Sequence, residues 1–151
     1  MSGLIGGAGS RSGVVGETEI EYETGTFTPG YTGQSSQTYV VQLGNYTKIG
    51  DICFFGLTLQ TSAMGGANAV KITGLPFSSN GVPRDCGISI TTTYGVNFDA
   101  NRTFMAADLT GSGTEVSIYQ LGHSQANTSM TADLLNSAAV ILQLGGWYRC
   151  A

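Results

Sequence analysis

The side chains best suited to chemistry in this chain are its one histidine, its three cysteines and its carboxylates. His123 stands in Leu121-Gly-His-Ser-Gln125, in polar company just past an apolar alternation. A nucleophile–base pair needs its histidine held by the fold against a serine or cysteine. No local spacing provides that, so His123 reads as a loop residue making ordinary hydrogen bonds. Glycoside hydrolysis needs two carboxylates facing each other across a cleft. Asp51, Asp85, Asp99, Asp108, Glu115 and Asp133 are available, but most sit beside turn glycines or asparagines, where capping a turn accounts for them. No pair stands out, and no enzyme is expected. Cys53, Cys86 and Cys150 are an odd number at wide spacing, without a C-x-x-C or a Cys/His cluster. A zinc site is therefore not expected. The reading is free thiols, buried or half-buried, in a protein assembled in a reducing cytoplasm. Gly3, Gly6, Gly7, Gly9 and Gly13 imitate a phosphate loop, but no Lys-Ser/Thr ends the run, no strand precedes it and no helix follows. No cofactor and no metal is expected.

Charge narrows the partners. The formal net charge is −4, and the six basic residues (Arg11, Lys48, Lys71, Arg84, Arg102, Arg149) are scattered. A sequence-independent grip on nucleic acid needs them clustered, so no nucleic acid is expected. No apolar run approaches the ~20 residues that cross a bilayer, and Met-Ser-Gly-Leu-Ile-Gly-Gly lacks the basic start of a secretory signal; no membrane is expected. Glu17, Glu19, Glu21 and Glu23 share one parity and would line one face of an extended strand. They read as a solvated face that discourages wrong edge pairing. The sharper alternative is docking to a basic partner or to a divalent cation, which favours carboxylate oxygens. Aromatic residues near turns (Phe27, Tyr31, Tyr46, Phe77, Tyr94, Trp147) suit packing in the core or between subunits first. Stacking on sugar faces is the second use.

The elements that must position these residues are strands. Charged residues are 11% of the sequence, and 23 glycines accompany many Thr, Ser, Asn and Gln. That composition suits an all-β domain whose turns need glycine and whose outward faces take threonine. Residues 1–20 read as a Gly/Ser-rich N-terminal arm or anchor, either a flexible leader or an arm ordered by lying on another subunit, with Leu4, Ile5, Val14 and Val15 as its apolar holds. Residues 21–151 read as one β-sandwich domain. Tyr39 to Phe77 is its spine: two strands meeting at Ile49-Gly50-Asp51, a Gly65-Gly66 turn, and a third strand ending in Gly74-Leu-Pro-Phe77.

In the first spine strand Tyr39, Val41, Leu43 and Ile49 form the apolar set, with a bulge at Gly44-Asn45. In the second, Cys53, Phe55, Leu57 and Leu59 share a face, while Ile52 and Phe54 make the other face apolar at its start. That two-sided start points to contact beyond the chain's own core. Ile88, Ile90, Tyr94, Val96 and Phe98 alternate over eleven residues. Three hairpin-linked strands are expected from there to Leu121, then a polar loop with a helical turn near Ala132-Asp-Leu-Leu135. The last strand, Ala138 to Tyr148, is apolar enough to be covered on both faces. Ile52, Phe54, Ile141 and Trp147 are the candidate subunit-interface residues.

Gly44-Asn-Tyr-Thr-Lys-Ile-Gly50, followed by Gly74-Leu-Pro-Phe-Ser78, resembles a module found near the C-termini of bacteriophage tail-fibre and other virion proteins. Tyr22-Glu-Thr-Gly-Thr-Phe-Thr-Pro29 is similar to its entrance and Gly145-Gly146-Trp-Tyr148 to its closing strand, so the resemblance spans residues 22–148. It implies a jelly-roll-like antiparallel β-sandwich, usually trimeric, at the tip of a virion appendage. No family catalytic residues carry over. About 20 residues precede the sandwich, where a fibre would have a long shaft; that favours a head spike, capsid decoration protein or short adhesin. The expected partners are copies of the chain, other proteins of the capsid or tail, and, in the alternative reading as a carbohydrate-binding adhesin, host surface glycan.

Overall fold

In the computed structural model the chain is described over residues 21–82, 85–109, 111–135 and 139–151. The expected arm, with Leu4, Ile5, Val14, Val15, Glu17 and Glu19, lies outside these residues. Among them the chain forms β1 (Tyr22–Phe27), β2 (Gly30–Thr32), β3 (Ser36–Ile49), β4 (Ile52–Gly65), β5 (Lys71–Thr73), β6 (Cys86–Tyr94), β7 (Phe104–Asp108), β8 (Val116–Leu121), β9 (Thr128–Ser129) and β10 (Val140–Arg149). One 3-10 turn, Ala132–Leu135, stands where a helical turn was expected.

Two antiparallel sheets pack face to face as a β-sandwich. One has the order β1-β3-β4-β10-β6, the other β2-β5-β8-β7 with β9 on β8. Period-two alternation puts Cys53, Phe55, Leu57 and Leu59 of β4 beside Leu142, Leu144 and Tyr148 of β10 on the inner face. Ile72, Val116 and Ile118 oppose them from the second sheet. Each such fully buried aliphatic side chain contributes about 1.5–3 kcal/mol.

The ends of the sandwich are fastened by polar groups. The buried Tyr148 hydroxyl donates to the Phe77 carbonyl (3.0 Å) and accepts from the Phe77 N–H (3.2 Å), tying β10 to the Gly-Leu-Pro-Phe turn. Gly74 in that turn has φ +92°, and a Cβ there would meet the Thr28 carbonyl at 2.5 Å; only glycine fits. Beside the same turn, where the Tyr46 ring meets Phe77 edge-on, two glycines are roofed by aromatic rings. Phe27 lies over Gly44 and Tyr46 over Gly25, each its register partner across β1 and β3. The rings restore the packing that a glycine in a strand gives up.

Four expectations require correction. The bulge in β3 falls at Thr38–Val41, not at Gly44-Asn45. Tyr39 pairs with Thr61 and Val41 with Gln60, leaving Val40 unpaired. One extra residue reverses the side-chain parity, so Tyr39 packs inward while Leu43 and Ile49 are exposed. A second irregularity, at Thr91 opposite Gln143 and Leu144, turns Tyr94 outward after Ile88 and Ile90 point in. The strand ends there, so Val96 and Phe98 belong to the following loop. Three hairpin-linked strands do not form: β6 pairs with β10 in the first sheet, and β7 and β8 alone make the hairpin. β10 is covered on one face rather than two. It sits centrally, between β4 and β6, which accounts for its apolar inner positions.

Candidate interaction surface

None of the chemistry-capable side chains converges on a cleft. His123 is exposed, its Nδ1 3.1 Å from the Oγ of its neighbour Ser124. The Asp99 carboxylate accepts from the Nε2 of the buried Gln120 side chain (2.5 Å), and the Asp99 backbone N–H donates to the Oε1 of the same side chain (2.9 Å). Glu115 pairs with Lys71 at 2.9 Å, and Asp108 lies 3.5 Å from the Cys86 thiol. Arg149 bridges Asp51 and Asp85, joining the β3–β4 turn to the approach of β6. Of the expected acidic face, Glu21 binds Lys48 (2.7 Å) and Glu23 accepts from the Tyr46 hydroxyl (2.5 Å). Both are internal cross-strand contacts. Cys53 and Cys150 are free and buried, Cys86 free and half-buried. Burial, then the neighbouring Cys53 thiol, pushes Cys150 up to about 11. Burial likewise raises Cys53 and Cys86. These are packed thiols rather than activated ones. Among the described residues no three His, Cys, Asp or Glu side chains gather as a metal would require.

The site that does emerge is the outer face of the five-stranded sheet. Register fixes its rows. Thr24, Thr47, Phe54, Trp147 and Gly87 lie side by side across all five strands. Tyr22, Ile49 and Ile52 form the next row toward the β3–β4 turn. The Trp147 indole lies over Gly87, its Nε1 2.7 Å from where a Cβ would be. Together these side chains make an apolar ridge: Phe54 is 45% and Trp147 38% exposed.

On the other side of the ridge the two central strands, β4 and β10, carry no side chain in the adjoining row. Gly56 and Gly145 are register partners and floor a cleft of about 610 Å³. Thr26, Leu43, Asn45, Thr58, Thr91 and Gln143 line it. Arg149 is the only charged side chain on this face among the described residues, and it is held in its ion pairs at the rim.

The four candidate interface residues therefore all belong to one face, but only three of them gather. Phe54 and Trp147 are direct partners and Ile52 is in the adjoining row. Ile141 is six residues along β10, about 20 Å away, against Gln60 and Tyr94. Sequence reasoning missed Tyr22, Leu43 and Ile49, because the bulge that turns Leu43 and Ile49 outward leaves no mark in the sequence. It also missed the trough, since Gly56 and Gly145 become neighbours only through the register of β4 with β10.

No protein-family model and no curated protein matches this chain. Among solved structures, the crystal structure of Dettilon tailspike protein, gp208, aligns with 86% of the chain at a TM-score of 0.70 and 16% identity. The fold is one that a phage tailspike also uses. This chain spans 24% of that protein's length, and at such identity the likeness is one of fold.

Proposed function

We propose that the chain is a structural part of a phage virion, a homotrimeric β-sandwich carried at the tip of a tail fibre or spike, or on the capsid as a decoration. Residues 1–20 anchor it to other virion proteins. The observation that carries this reading is the tailspike likeness, which covers 86% of the chain. An uncharged, partly aromatic outer face on one sheet supports it, because contiguous exposed apolar area on this scale marks a contact surface. Light scattering at micromolar concentration tests the assembly: a mass three times 15.6 kDa is expected, and a monomer counts strongly against the reading. Locating the chain in a map of the intact particle tests the placement.

A second reading has one observation in its favour. The trough presents uncharged amides and hydroxyls (Asn45, Thr58, Gln143) beside the Trp147 ring, the side-chain types that hold a neutral sugar. As a host-receptor adhesin the isolated sandwich would retain oligosaccharides on a glycan array and lose them on Trp147→Ala.

A further inference from the structure

We infer that the outer face of the five-stranded sheet docks a second copy of this chain, with the Phe54–Trp147 ridge of one copy seated in the Gly56–Gly145 trough of the next. The inference rests on the assembly proposed above and names the surface that makes it.

Three observations select a second copy as the occupant. First, a charged surface repels its own image, and among the described residues this face carries no charge except Arg149, whose charge is spent on Asp51 and Asp85. A partner chosen by charge would find nothing to read here. Second, the face is large enough to share. Five strands spaced about 4.8 Å apart and about nine residues long cover on the order of 700 Å², roughly 350 Å² for each of two neighbours, which is below the roughly 800 Å² per partner of a standard contact and makes association depend on closure of the ring. Third, the face carries relief of both signs. The ridge rises where Phe54, Trp147 and Ile52 meet, and the adjoining row sinks to backbone at Gly56 and Gly145. A copy offers the shape that its neighbour lacks. If each copy gives its ridge to one neighbour and its trough to the other, the contact is head-to-tail and closes as a ring, as the proposed trimer requires.

Charge substitutions test the fit. Thr47 stands beside Phe54 on the ridge and Thr58 borders the trough; both side chains face outward. Thr47→Glu alone and Thr58→Lys alone each place an unpaired charge in the contact, and each is expected to give a monomer. The double variant sets every ridge carboxylate against a neighbour's trough ammonium and is expected to regain the native mass. Circular dichroism confirms that each variant is folded. Trp147 is the single tryptophan, so the native chain gives a readout without substitution. On raising concentration through the association range, its emission shifts to shorter wavelength and quenching by acrylamide falls severalfold.

Single variants that keep the native mass, a folded double variant that stays monomeric, or Trp147 emission indifferent to association would each overturn the ridge-and-trough contact, while leaving an oligomer built on another surface intact. A native chain that is monomeric throughout removes the parent proposal as well. A neutral oligosaccharide that protects Trp147 without any change in mass assigns the trough to sugar and overturns the inference.

Discussion

The two sheets face each other across one core, yet their outer faces are built on different rules. The five-stranded sheet turns Phe54, Trp147, Leu43 and Ile49 to the outside with almost no charge among them. The second sheet, with β9 added on β8, turns out Lys71 and Ser117 in one row, flanked by the Lys71–Glu115 ion pair, and leaves one exposed aromatic, Phe104, at the start of β7. Its one outward aromatic on β8, Tyr119, is half-buried and paired with Ser129 of the short β9. A polar, ion-paired face is finished when water covers it. An apolar one is not. On the proposed assembly, that difference leaves one side of the molecule to solvent and gives the other to a second copy.

The largest expected effect breaks that comparison directly. Thr47→Glu on the neutral face abolishes association, whereas Ser117→Glu on the polar face leaves the mass by light scattering unchanged. Equal behaviour of the two variants would erase the distinction between the faces. Next comes Gly146→Ala, inside the five-stranded sheet. A Cβ at Gly146 would meet the Gly87 carbonyl at 2.0 Å, forcing β10 and β6 apart, at a cost of about 3 kcal/mol. Urea denaturation measures it, and a change under 1 kcal/mol would show that this strand pair is looser than drawn.

Alkaline pH separates the two sheets by their cysteines, since Cys53, Cys86 and Cys150 all belong to the β4–β10–β6 side. Cys150 is raised from 9.0 to about 11 by burial, then by Cys53. Its folded pKa exceeds the unfolded one, so its contribution to stability is complete below about pH 9. It is lost as pH rises through about 11. Melting temperature should therefore hold up to pH 9 and fall beyond it, and Cys150→Ser should flatten that fall. The smallest effect is on the polar face. Lys71→Ala removes an exposed ion pair and should cost no more than about 0.5 kcal/mol, with association untouched.

How legible this was depended on whether a feature was local. The inward set of Cys53, Phe55, Leu57 and Leu59 could be read directly, because unbroken alternation has one interpretation. The two-residue turn at Gly50-Asp51, the glycines at 74 and 81 with positive φ, and the 3-10 turn at Ala132–Leu135 were likewise local. Parity failed wherever a bulge intervened. Val40 and Thr91 each insert one residue, so Leu43 and Ile49 beyond the first and Tyr94 beyond the second face outward, where plain alternation groups them with Tyr39 and with Ile88 and Ile90. Pairings between distant strands were not visible at all. Nothing near Gly56 announces Gly145, and nothing near Tyr94 announces Ile141. The ridge could be glimpsed through Ile52, Phe54 and Trp147, but its trough belongs to register alone.

β10 follows β4 and β6 in chain order, yet lies between them in the sheet, with β4 on one flank and β6 on the other. Until it arrives, each of those flanks is a raw edge able to recruit a foreign strand. Closure of the sheet thus waits on residues 140–149, and contacts between strands so distant in sequence form slowly. A ribosome that stalls or a protease that clips before Val140 would release not a shorter version of the domain but a pair of adhesive borders. The growing polypeptide is most prone to aggregate in the interval before residues 140–149 are made.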